Sequence, residues 1–190
     1  MRANRHWIYI WSVFVLATLL SVPSGSVSIA AENPVLGHWL FSVDRVKGTS
    51  VSAVVGPDAT VFGLGRSVSF TDDPKPEHVQ LSGSGSRIEV STNISLVDMP
   101  SRDITLEAWV RIDKSLQWGG VIGALQDNGT YEKGWLLGYR NKNFCFALNS
   151  EDSNKLTYLT SSKEFQVGRW YHLVGVYDGS VQRLFVDGKQ

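Results

Sequence analysis

Residues 168–190 read GRWYHLVGVYDGSVQRLFVDGKQ, and the fold is decided there. Trp170 to Tyr177 is rich in aromatic and β-branched side chains, the types that suit a pleated, half-buried surface. Asp178-Gly179 offers the φ > 0 positions of a tight hairpin turn, and Val181 to Val186 reads as the returning strand. Asp187-Gly188 repeats the turn chemistry, which calls for yet another strand. The stretch therefore predicts an antiparallel sandwich whose last strands lie beyond Gln190.

Working outward, the strongest support is Asp103 to Asp113, DITLEAWVRID. Ile104, Leu106, Ala108, Val110 and Ile112 fall on one side of an extended chain; Thr105, Glu107, Trp109 and Arg111 fall on the other. Such alternation favours an antiparallel sheet with one wetter face. Shorter strands are expected at His38 to Val43, Val51 to Val55, Thr60 to Phe62, Ser67 to Phe70, His78 to Leu81 and Arg87 to Val90. The last two are joined as a hairpin by the Gly/Ser run 82–86. Ile94 to Pro100 is a crossing segment or a single helical turn. Val121 to Leu125, Gly134 to Arg140, Asn143 to Asn149 and Leu156 to Thr160 complete the set, with Asn141-Lys142 closing a hairpin. Turn signals recur at roughly 8–12-residue intervals without an amphipathic helix, as in a sandwich or barrel.

Composition narrows the class. A chain of 190 residues holds one domain with a sizeable core. Lys plus Arg equals Asp plus Glu at 18 each, which suggests neither disorder nor a nucleic-acid partner. Met1 to about Ala31 has the layout of an export signal. Arg2 and Arg5 precede an apolar run from Trp7 to Leu20, a helix break at Pro23 to Gly25, and small residues around Ala30-Ala31. The run is shorter than a membrane span, so no span is expected once the signal is cleaved. Cys145 is the sole cysteine, which precludes an intramolecular disulfide and fits a bacterial envelope or extracellular protein. Its alternation with Phe144 and Phe146 predicts a buried, inert thiol.

At this point the segments ITLEAWVRID, GGVIGALQD, GWLLGYRNKNFCFAL and WYHLVGVYDGSVQRLFVDGKQ, preceded by HWLFSVD, resemble the LamG-like, concanavalin A-like jelly rolls of bacterial type. The resemblance spans about 36–190 and implies an all-β, two-sheet jelly roll incomplete at its C-terminus. The expected organisation is a signal peptide at 1–31 and the jelly-roll domain at 32–190.

Catalysis finds no motif. His6, His38, His78 and His172 lie apart, with no metal-ligand spacing. Jelly-roll glycosidases pair carboxylates in a Glu-x-Asp-x-x-Glu pattern; Glu107 is followed at those positions by Trp109 and Ile112. Gly63-Leu64-Gly65 lacks the third glycine and the helix of a phosphate loop. The reading is therefore a non-catalytic module exported to the periplasm, envelope or exterior, binding a glycan or an extracellular protein. The alternative is the N-terminal accessory domain of a larger secreted hydrolase, whose catalytic part lies beyond residue 190. Trp109, Trp118, Trp135 and Tyr139 are the candidate stacking rings, with Trp118 beside Gly119-Gly120 expected to be exposed. Asp127, Asn128 and Asp152 (or Asn154) are candidate calcium ligands, because calcium takes several oxygens converging from loops.

Overall fold

The computed structural model describes residues 8–16, 35–63, 68–71, 78–81, 85–93, 100, 102–149 and 153–190. These residues form an all-β sandwich without a helix. One sheet has seven strands. β1 (Ile8–Leu16), β2 (Val35–Leu40), β6 (Val68–Thr71), β7 (His78–Leu81), β9 (Ile104–Ile112), β14 (Trp170–Tyr177) and β15 (Gln182–Val186) run in the order β15-β14-β9-β1-β7-β6, with β2 also on β1. Facing it is a four-stranded sheet, β10 (Trp118–Asp127), β11 (Glu132–Arg140), β12 (Asn143–Leu148) and β13 (Thr157–Glu164), in sequence order. A small third sheet joins β3 (Val46–Lys47), β4 (Ser50–Val51), β5 (Ala59–Phe62) and β8 (Arg87–Glu89). The strand pairings among the described residues are antiparallel, the arrangement that short turns permit.

The period-2 reading of β9 fixes the core. Ile104, Leu106, Ala108, Val110 and Ile112 are buried, and the residues between them are half-buried. From β14 and β15 come Tyr171, Leu173 and Leu184; the opposite sheet answers with Leu137, Tyr139, Phe144, Phe146 and Leu148. Phe165, in the link between β13 and β14, packs on the four-stranded sheet, with its ring centroid 4.9 Å from Phe144 and 5.4 Å from Tyr139, and Phe144 meets Tyr171 of the opposite sheet at 5.0 Å. Each large buried side chain removed from water contributes about 1.5–3 kcal/mol, so this inter-sheet layer is the main source of stability.

Three local expectations change. The stretch 78–89 is not a hairpin: β7 pairs with β6 and β1, whereas β8 pairs with β5 in the third sheet. The chain thus changes sheet between β7 and β8, and nothing local specifies a strand's partner. Between Tyr177 and Gln182 the connection is a wider loop than Asp178-Gly179 alone suggests. Only Gly179 there has positive φ, and Asp178 Oδ1 accepts from Ser180 N, Ser180 Oγ and Val181 N. The second turn keeps its expected form, with Asp187 at φ 52° and Gly188 at φ 74°.

The third change is β1. Nine residues of the expected export signal, IYIWSVFVL, form a strand and not a helix. They pair with β9 from Ile8↔Ile112 to Leu16↔Thr105 on one side, and with β7 and β2 on the other. Ile, Val, Phe, Tyr and Trp are all good strand formers, and two open ladder edges supply the partners that an isolated apolar run lacks. The 94–99 part of the expected crossing segment lies outside the described residues.

Candidate functional site

The outer surface of the four-stranded sheet is set by the parity of its strands. Phe144, Phe146 and Leu148 point into the core, so Cys145 and Ala147 point the other way. Register then aligns Gly120, Gly138, Cys145 and Thr160 as one row across β10, β11, β12 and β13. The first three carry nothing larger than a thiol. Trp118 starts β10 and Tyr158 lies on β13, at opposite edges of the sheet. Their ring centroids are nevertheless 5.4 Å apart, at 57°. The rings can meet only by reaching over the shallow row between them. That roof explains why Cys145 is 0 % exposed on an outer face. Its burial pushes the thiol up to about 11.

Trp118 itself is 42 % exposed. Arg140 lies opposite it in the β10–β11 register, with the guanidinium carbon 4.7 Å from the ring centroid. The cluster presents a broad aromatic surface with a cation at its rim. Tyr158 has its phenol raised, first by burial and then by the carboxylates of Glu132 and Asp127, so its hydroxyl remains a donor near neutrality.

The other candidate rings lie elsewhere. Trp109 is on the outer face of the opposite sheet, stacked on His172 with centroids 4.9 Å apart and planes at 26°. His172 Nε2 is 2.8 Å from Glu107 Oε1. Trp135 is half-buried against the core and lines a cavity of about 180 Å³ with Ile104, Leu148 and Tyr177. Tyr139 is 1 % exposed. Its hydroxyl accepts from Leu116 N, and its ring fills the space where a Cβ on Gly119 would stand. It is a core residue with no face to offer a ligand. The four rings are thus divided between two outer faces and the interior.

Among the described residues, the candidate calcium oxygens of Asp127 and Asn128 are engaged in a turn. Asp127 Oδ1 accepts from Gly129 N at 2.7 Å. Asn128 Oδ1 takes Thr130 N, Thr130 Oγ1 and Tyr131 N. Both side chains close the β10–β11 turn, and Asp152 lies outside the described residues. Asn154 accepts from Glu132 N through its backbone oxygen. Among the described residues no three His, Cys, Asp or Glu side chains gather as a metal site.

Arg140 and Tyr158 were not singled out from sequence, because both enter the cluster through cross-strand register. A partial signal existed: Gly134, Leu136, Gly138 and Arg140 share one parity of β11, and Trp135, Leu137 and Tyr139 share the other. That pattern places Tyr139 with the core set.

Comparison with known proteins agrees with this architecture. A family model described as the concanavalin A-like lectin/glucanases superfamily, of laminin G type, matches residues 82–190. The chain belongs to that superfamily. The laminin G-like match begins just after β7, so the first strands of the sheet lie outside it. Mouse (Mus musculus) pappalysin-1 is 26% identical over 138 residues, covering 66% of this chain and 8% of that protein. Human (Homo sapiens) pappalysin-1 is 26% identical over 133 residues, covering 63% and 8%. The laminin G-like chain thus corresponds to a small part of these relatives' length. No solved structure matches it. Among the described residues no helix is long and apolar enough to cross a membrane.

Proposed function

We propose that this laminin G-like domain is an exported, non-catalytic recognition module that holds carbohydrate on the outer face of β10–β13. The observation that carries the reading is the Trp118–Tyr158 pair: two rings from opposite sheet edges, meeting over a row of small residues, with Trp118 substantially exposed. A flat ring offers apolar area to a sugar face at little entropic cost, and Tyr158 adds a hydroxyl for a sugar hydroxyl. The export half rests on Arg2, Arg5 and the apolar run ahead of Ala30-Ala31. Catalysis has no support in the geometry, since the Glu107 carboxylate is held by His172 on the far face.

Affinity electrophoresis through gels containing polysaccharide tests the reading. The full chain should be retarded and Trp118→Ala should run free, while neither releases reducing sugar. Equal mobility in every gel would remove the carbohydrate reading and leave a protein partner.

A second reading has its own observation. The match covers only 8% of either pappalysin-1, so a domain of this type occurs there within a much longer chain. An accessory role beside the catalytic part of a larger secreted hydrolase is compatible with the same binding face. Mass measurement of the native secreted product distinguishes a stand-alone module from such a domain.

A further inference from the structure

Among the described residues, β1 is the seam of the seven-stranded sheet. In the order β15-β14-β9-β1-β7-β6 it joins the β9 half to the β7 half, and β2 is attached through it as well. Ile8 to Ile10 pair with β7 and Ser12 to Leu16 with β2, while Ile8 to Leu16 run along β9 on the other side. These same residues belong to the segment that export removes. Their loss leaves a slot with a strand edge on each flank. The slot is two strand spacings wide, roughly 10 Å, which is room for one strand. An edge strand of another folded sheet has one side already occupied, so it can satisfy only one flank. The slot therefore fits a free, extended segment whose main chain is open on both sides.

Register states what that segment must carry. Directly opposed residues share a face of the sheet. Positions 8, 10, 13 and 15 stand opposite Ile112, Val110, Ala108 and Leu106, all buried, so an occupant needs apolar side chains there. Positions 9 and 14 stand opposite Arg111 and Glu107 on the outer face, where an acidic and a basic residue respectively are favoured. Resting on the export reading, we propose that β1 is a place-holder, and that its cleavage turns the sheet into an acceptor for one strand of another extracellular protein. The donated strand spans nine residues, as β1 does, and runs antiparallel to β9, β7 and β2. Main-chain hydrogen bonds to both flanks give the affinity, and the buried row selects β-branched and aromatic residues. The precursor keeps the slot closed, so capture waits on maturation.

The test starts from the full chain, with a site-specific protease sequence in place of residues 26–31, folded first and cut afterwards. Mild urea releases the cut segment, and the probe is a fluorescent peptide of residues 8–16 with flanking lysines for solubility. Anisotropy should show one-to-one capture by the cut chain and none by the uncut chain. Capture should also raise the melting temperature of the cut chain. A peptide carrying Ile10→Pro and Val13→Pro, which lacks two ladder donors, should bind at least tenfold more weakly. Equal binding of the two peptides, equal behaviour of cut and uncut chains, or no capture at all overturns the proposal. Cut chains that dimerise and exclude the peptide also overturn it, and assign the slot to a second copy. Mass measurement of the native secreted product checks the export reading separately: a start near Glu32 is expected, and a product that retains Met1 overturns the gating whatever the peptide does.

Discussion

Gly175 of β14 and Phe146 of β12 meet face to face across the sandwich: a Cβ on residue 175 would stand 2.8 Å from Phe146 Cγ. Phe146 is fully buried, and the ring lies against bare backbone of the opposite sheet. Glycine is needed there for closeness, since its φ is not positive. Gly175→Ala must push the sheets apart or drive Phe146 off its rotamer, and overpacking of this kind costs about 1–3 kcal/mol. Urea denaturation should show a lower midpoint with an unchanged slope.

Gly134 faces a harder constraint. Its φ is +114°, and a Cβ would stand 1.9 Å from the carbonyl oxygen of Ala124 on β10. Gly134→Ala therefore meets both a disfavoured backbone region and a neighbouring strand that cannot retreat without losing its ladder. Its melting temperature should fall by more than that of Gly175→Ala in the same scan.

Cys145 gives a prediction in pH. Burial holds its thiol at about 11 against an ordinary 9.0, so the folded chain keeps the proton longer than the unfolded one. Below pH 9 both states carry it and stability does not respond. Between about 9 and about 11 the unfolded chain ionises first, and stability falls as pH rises. Cys145→Ala should lose that part of the alkaline slope. At pH 8 a thiol reagent should label wild type in urea but leave the folded protein unmodified.

The N-terminal strand gives a further prediction. Cleavage near Ala31 removes β1 and opens the position between β9 and the β7/β2 pair, exposing two hydrogen-bonding edges. A chain made without residues 1–31 should melt well below the full chain, by several kcal/mol in stability if roughly 0.5–1.5 kcal/mol follows each lost ladder bond. Equal melting temperatures would mean that β1 contributes nothing to the sheet.

Much of the fold was legible in the sequence because antiparallel strands with one wet face write their orientation into alternate residues. β9 and β12 were read that way, β14 from its aromatic and β-branched content, and the positive φ of Asn141 and of Asp187-Gly188 sits where the turns were expected. Strand partners were not legible. The Gly/Ser run after β7 suits a hairpin as well as a crossing, and only tertiary pairing decides between them. IYIWSVFVL shows the same limit: it is apolar enough for an export signal and β-branched enough for a strand. At the candidate site, Trp118 was found from its glycine neighbours. Arg140 and Tyr158 needed the register, since their sequence distances from Trp118 say nothing of nearness.

The central claim is that recognition takes place on the outer face of β10–β13. Amide chemical-shift mapping of the full chain, titrated with alginate oligosaccharide, tests it most directly. The account predicts perturbations concentrated at Trp118, Arg140 and Tyr158 and their strand neighbours. Shifts gathered instead around Trp109 and His172, on the opposite outer face, would contradict it.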